Sequence, residues 1–327
     1  MNSSGFSGAF ARGLAAVILT AGALSVSAQD YPSRPIRLLV GVAQGGTPDV
    51  VSRFFSQLMS GPLGQQVVVE NKMGAGGLVA AQELVKAAPD GYTMMVMDVG
   101  QYAIGPAMRP GTYDPVKDLQ PLAQATTNAV FVTVSSRLPA TTMQEFVTLV
   151  KSKPGEYTYG SVGVGTIHHL FMEALMSSFG LKMTHVPYKG SAQTLVALLG
   201  GDLMIAIAGV TTMREHVNSG KVRLLAASTR ERDPLAPTVP SAAEFGHPEL
   251  DYAGDLGYFL PAGAPRPVVI KLADALGKAI QGPEFAARAT ALGTQVKYRN
   301  PEQFAELVAA SYSRYQRIVK QAGIKPD

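Results

Sequence analysis

Glycine, hydroxyl and acidic residues gather at two points in this chain, Gly45-Gly46-Thr47-Pro48-Asp49 and Ser161-Val162-Gly163-Val164-Gly165-Thr166, the second followed by His168-His169. Each lies between an apolar run and an amphipathic one, so each reads as a turn from strand to helix. Thr47 reads as an N-cap with proline at the first helical position. A helix start carries unpaired N–H donors and about half a unit of positive charge, so it can hold an anion without lysine or arginine. Two such starts on two lobes would close on one small anion. The plainer reading of either turn is an economical βα connection.

Other chemistries fit these residues less well. Hydrolysis needs a nucleophile, a base and an oxyanion site in one place. Tyr159-Gly160-Ser161-Val162-Gly163 lacks the first glycine of a G-x-S-x-G elbow, which favours Ser161 as a hydroxyl donor to a bound anion. His169 stands four residues before Glu173, a spacing that can put two metal ligands on one helix face. With no third ligand evident, an orienting or packed histidine is the favoured reading. Lys189-Gly190-Ser191 lacks the preceding glycines of a P-loop, and Gly74-Ala75-Gly76-Gly77 reads as a helix-starting loop rather than a dinucleotide turn. No cofactor or metal is expected. Tyr102 and Tyr188 offer aromatic walls with phenolic hydrogen bonds, or core packing.

The elements that must position these residues alternate. Strands are expected at 36–42, 66–70 and 93–97, with helices at 50–59 and 78–87 between them. That alternation predicts a parallel sheet covered by helices. A second series runs from Val130 to Ala227, with helices at 143–151, after Thr166, at 191–199 and at 213–219. Residues 234–248 read as a connection, 252–260 as a strand, and 268–280, 284–292 and 301–322 as terminal helices packed back on the first lobe. The chain is thus expected to cross between lobes near 122–127 and 229–251. Lobe 1 would comprise residues 29–126 and 229–327, and lobe 2 residues 127–228. Open α/β sheets bind ligands at the carboxyl ends of their strands, so the cleft between lobes is the expected site, with the paired crossings as its hinge.

Residues 1–28 contain Arg12, an apolar stretch from Leu14 to Val26 and a Val26-Ser27-Ala28 ending, the pattern of a secretory signal peptide. Cysteine is absent, which excludes disulfides, cysteine zinc sites and a thiol nucleophile. Export without cysteine fits a soluble protein of a bacterial periplasm. Removing Arg12 and no acid lowers the formal charge from +4 to +3, and no basic run is interleaved with aromatics, so nucleic-acid binding is not expected.

Several segments together resemble the substrate-binding proteins of tripartite tricarboxylate transporters, the Bug family of periplasmic receptors. They are Tyr31-Pro32-Ser33-Arg34-Pro35-Ile36, Gly45-Gly46 with Asp49, Val69-Glu70-Asn71 leading to Gly74–Gly77, and Ala88-Pro89-Asp90-Gly91-Tyr92-Thr93. Tyr113-Asp114-Pro115, Gly163–Thr166 with His168-His169-Leu170, Val186-Pro187-Tyr188-Lys189-Gly190 and Pro261-Ala262-Gly263 continue the series over essentially the whole mature chain. The resemblance implies a two-domain Venus-flytrap fold, type II-like, of two mixed or parallel sheets flanked by helices. It implies a monomeric receptor that captures an organic carboxylate and hands it to membrane subunits of the transporter. It places Gly46, Thr47 and Asp49 in one lobe at the ligand, and Ser161, Gly165, Thr166 and His169 in the other. The chain departs from the family pattern at Ala208, where many relatives carry Asp, at Asp255, where many carry an aromatic residue, and at Asp98, where a small hydroxyl residue is usual. Asp98 and Asp255 read as loop caps or solvated acids on one view. On the other, acidic functionality has moved within the cleft, and the ligand presents a donor or amine beside its carboxylate. Two further readings stay open: an exported hydrolase or isomerase using Ser161 and His169, and a receptor that reports to a sensor kinase.

Overall fold

In the first strand alternate residues enter two different cores. Ile36, Leu38 and Val40 pack with Val51, Phe55 and Leu276, while Leu39 packs with Ala80, Leu84 and Phe304 on the opposite face. A strand apolar on both sides belongs to a sheet covered on both faces. The computed structural model describes residues 31–45 and 47–325, Thr47 by its backbone alone. The expected signal peptide and Gly46 lie outside the described residues.

In chain order the elements run β1 (Ile36–Val40), α1 (Thr47–Leu63), β2 (Val67–Asn71), α2 (Leu78–Lys86), β3 (Thr93–Asp98), α3 (Gly105–Met108) and β4 (Leu119–Thr127). They continue with β5 (Val130–Ser135), α4 (Met143–Ser152), β6 (Thr158–Ser161), α5 (Ile167–Phe179), β7 (Thr184–Pro187), α6 (Ser191–Gly200) and β8 (Ile205–Gly209). Last come α7 (Val210–Asn218), β9 (Val222–Ala227), β10 (Leu256–Pro261), α8 (Arg266–Gln281), α9 (Pro283–Ala291), β11 (Gln295–Arg299) and α10 (Pro301–Ala322). A 3-10 turn at Ala75–Gly77 leads into α2, and a π-helical turn at Gly100–Ile104 leads into α3.

Two sheets result, ordered β11-β4-β10-β3-β1-β2 and β7-β6-β8-β5-β9. The alternation in the first half predicts parallel strands, and β1, β2 and β3 are parallel, but β10 and β11 enter antiparallel and make that sheet mixed. Residues 122–127, expected as a crossing, form the second half of β4. Pro121 and the polar Gln120, Gln124 and Thr126 hide this strand from an apolar pattern. Proline is tolerated there because β11 pairs with β4 only at Gln124–Thr127, which leaves one side of Pro121 without a ladder partner.

Sheet membership changes between Thr127 and Val130 and again between Ala227 and Leu256. The two connecting segments bond to each other: Ala129 pairs with Ala253, and Gly254 N–H donates to the Asn128 carbonyl at 2.8 Å, while within the second segment Tyr252 N–H donates to the Ser228 carbonyl at 2.7 Å. A side chain at Gly254 would meet the Asn128 amide at 2.7 Å, so any larger residue there would have to displace Asn128. Behind the connections the Tyr252 ring lies between Phe171 of α5 and Tyr315 of α10, 5.9 and 5.6 Å between centroids. The terminal helices α8 and α10 pack on β4 of the first sheet, and α10 also touches α5.

Candidate functional site

Helix starts from both lobes face one cleft of about 920 Å³ between the two sheets. Pro48 of α1 and the Gly74–Gly77 loop before α2 line it from one side, and Gly165–His168 at the start of α5 and Gly209–Thr212 at the start of α7 line it from the other. No side chain caps the start of α2 at Gly77 or of α7 at Gly209, whereas Thr166 caps α5 by accepting from His169 N–H at 3.4 Å. Gly77 has φ +92, a left-handed conformation that L side chains resist, and its Cα side is filled by the Gln101 side chain. The lobes touch along the rim. Met108 of α3 packs on Gly165, and Thr211 of α7 packs on Gly293, donating its hydroxyl to that carbonyl at 3.4 Å.

Both glycine turns are held from behind by buried side chains. In the first, the Asp49 carboxylate accepts from Gly45 N–H at 2.9 Å, from Asn71 Nδ2 at 2.9 Å and from Arg53 Nε at 3.1 Å. Asn71 Nδ2 also donates to the Val42 carbonyl, tying the turn to β2. In the second, Ser161 Oγ accepts from Gly163 N–H at 3.1 Å and lies 2.7 Å from His185 Nε2. The His185 ring stacks on His169 at 3.9 Å, and Gly165 N–H donates to His169 Nδ1 at 3.1 Å. Burial, with His169 beside it, pushes the His185 imidazole down to about 4, so it is neutral at ordinary pH. Tyr159 donates to Glu173 at 2.6 Å, and the same Glu173 oxygen lies 3.7 Å from His169 Nε2. This stack fixes the turn so that its remaining backbone donors stay aimed, the preorganisation that makes a dipolar site effective.

The sequence profile described as "Tripartite tricarboxylate transporter family receptor" matches residues 51–324. The chain belongs to this family. A UPF0065 protein of Cupriavidus necator is 35% identical over 95% of this chain and 94% of its own length. Among solved structures, the chain is similar to MatC of Rhodopseudomonas palustris with bound malate, 32% identical with TM-score 0.70, covering 88% of this chain and 100% of that one. A second R. palustris protein, solved with adipate, is 28% identical with TM-score 0.73 over 91% and 100% of the two chains. The family's two-domain α/β fold is the fold described above.

Within this receptor-family frame, Asp98, Gly165 and Thr166 line the cleft. Asp49, Ser161 and His169 are buried behind the turns they hold, and the cleft lining does not include them. Tyr102 is fully buried between Phe259 and Phe304, and Tyr188 packs over β6 near Gly160, so neither forms a cleft wall. Ala208 is buried in the apolar layer with Leu198 and Met213, facing away from the cleft. The reason is common to these residues: they stand where a strand's alternation or a helix's inner face points into the core.

Asp255 is buried at the start of β10, accepting from Gln124 Nε2 at 2.7 Å, and Gln124 in turn accepts from Arg299. Burial pushes its carboxyl from the usual 3.8 up to about 6. Between those values the folded chain binds more protons than the unfolded one, so this group's contribution makes stability fall as pH rises through the window, by on the order of 3 kcal/mol in total. Asp255→Asn is expected to flatten the pH dependence of the melting temperature between pH 3.8 and about 6 and to raise it at neutral pH. An unchanged slope in circular-dichroism melts would assign the titration to another group.

Sequence reasoning missed the α7 start, the cleft role of the Gly74–Gly77 loop, and the cleft-lining charges Arg109 and Asp233. A signal for the first was present. Gly209-Val210-Thr211-Thr212 follows the apolar run Ile205–Ala208 and repeats the strand, glycine, hydroxyl, helix order of the two recognised turns.

Proposed function

We propose that this chain is an exported receptor that captures a small organic carboxylate in the cleft and delivers it unchanged to membrane subunits of a tripartite transporter. The observation that carries this reading is the convergence of helix starts from both lobes on one cleft. Backbone donors and helix dipoles hold a carboxylate at such ends. The malate and adipate in related structures are ligands of that class. In this reading Gly46, Thr47, Gly165 and Thr166 meet the anion, and Asp49, Ser161 and His169 hold the turns. The lobes are residues 29–126 with 229–327, and 127–228, hinged at the paired connections. The mature chain begins after Ala28 and acts as a monomer in the periplasm. Among the described residues no helix is long and apolar enough to cross a membrane, in keeping with a receptor that meets its membrane partners from outside.

Catalysis by Ser161 and His169 has less support. Ser161 is fully buried and its hydrogen-bonded histidine is His185, behind the turn rather than across the cleft. The test is calorimetry of residues 29–327 with malate, adipate and aromatic carboxylates, followed by recovery of the ligand. Saturable binding with the ligand returned intact supports the receptor, and a consumed ligand turns the assignment towards a hydrolase or isomerase.

A further inference from the structure

The cleft has an acid of its own. Asp98, at the end of β3, lines it half-buried, and among the described residues no ion pair involves Asp98. Its Oδ1 accepts from Gln101 N–H at 3.0 Å while Gln101 Oε1 accepts from Asp98 N–H at 3.3 Å, a reciprocal cap on the helical segment that follows. Asp98 thus places a protein carboxylate at a helix start where a ligand anion would otherwise bind. The other acid of the lining, Asp233, is 2% exposed and accepts from Leu235 N–H at 2.7 Å and Ala129 N–H at 3.4 Å, so its charge is already engaged.

A second cleft residue, His168, has a buried polar atom, Nδ1, without a hydrogen bond among the described residues. Burial pushes its imidazole down to about 4, which keeps it neutral. Among the described residues the charged side chains lining the cleft are Asp98, Asp233 and Arg109. A ligand with a carboxylate at each end would bring its second charge up to an acid, and like charges repel strongly where water is scarce. An ammonium at that end would instead form a charge-assisted hydrogen bond.

We propose that the ligand is an amino-bearing carboxylate, its carboxylate held at the helix starts and its ammonium paired with Asp98. This rests on the receptor reading and narrows its ligand class. Burial raises the Asp98 titration while the Gln101 and Gly100 amides oppose that rise, so a cation at this oxygen relieves a cost already present.

The test uses two pairs of ligands alike except at one end: succinate against γ-aminobutyrate, and adipate against ε-aminocaproate. Calorimetry on the wild type is expected to show at least one amine-bearing member binding about tenfold or more tighter than its dicarboxylate counterpart. Asp98→Asn keeps a good N-cap residue and is expected to melt near wild type while losing that preference. Asp98→Ser, a second uncharged cap, is expected to behave alike and guards against a folding defect in the first variant. A wild type that prefers the dicarboxylates, or an amine preference unchanged in both variants, overturns the proposal and leaves the receptor intact. No binding of any of the four by wild type or variants, with malate and aromatic carboxylates also silent, removes the receptor reading as well.

Discussion

Gly293→Ala is expected to weaken carboxylate binding by about 5- to 150-fold, the equivalent of 1–3 kcal/mol of opposed closure. Gly293 follows α9 and faces Thr211 of α7 across the cleft rim. A methyl group there would overlap the Thr211 hydroxyl and stand 2.9 Å from its Cβ and Cγ2. Those atoms are fixed close to the helix backbone and cannot swing aside as the end of a long side chain would. Backbone strain adds a separate effect, because Gly293 has φ +69 and alanine there costs about 1–2 kcal/mol of folding stability. The two effects separate experimentally. Strain appears in melts without ligand, and the wedge appears in calorimetric affinity. Thr211→Gly in the same chain is expected to recover most of the affinity and none of the strain. Full affinity in Gly293→Ala alone would mean that the bound state does not need this rim contact.

The largest effect on stability is expected from Gly257→Ala, a loss of about 1–3 kcal/mol from overpacking, seen as a lower urea midpoint with an unchanged slope. Gly257 is in β10, between β3 and β4. Its φ is not in the left-handed region, so the cost is steric. A Cβ would run into the edge of the Phe304 ring and stand 2.8 Å from the Ala123 carbonyl oxygen. Phe304 is fully buried, with Phe259 at 5.0 Å and Tyr102 at 5.8 Å between ring centroids, so it has no room to withdraw. Phe304→Leu should partly rescue Gly257→Ala while destabilising the wild type, a non-additive pair that marks direct contact. Additive losses would place the strain elsewhere in the strand.

What the sequence makes legible follows from where apolar residues repeat. α1 and the parallel strands β1 and β3 announce themselves because α1 buries apolar residues at helical spacing and the two strands are apolar runs buried almost throughout. β4 and β11 do not, since Leu119–Thr127 carries a proline and several polar residues and Gln295–Arg299 is polar at most positions. The Gly100–Met108 segment is equally hidden, because its glycines and Pro106 imitate a loop. At the site, glycine after an apolar strand locates the turns, but the residues that brace them come from elsewhere. Asn71 reaches Asp49 from the neighbouring strand, and His185 reaches Ser161 only because β6 and β7 run parallel in a register that sets Tyr159 opposite His185. Side-chain partners across strands depend on register, which no single run of sequence states. The same limit explains why Ser161 and His169 read as ligand contacts when both face inward.

The most direct test of the account is amide NMR of residues 29–327 titrated with the tightest-binding carboxylate, following the backbone N–H signals of Gly77, Gly165, Thr166 and Val210. Signals from both lobes are expected to shift together and saturate with one dissociation constant, because one anion is held between helix starts of the two lobes. Shifts confined to one lobe, or saturation at different concentrations on the two sides, would contradict it.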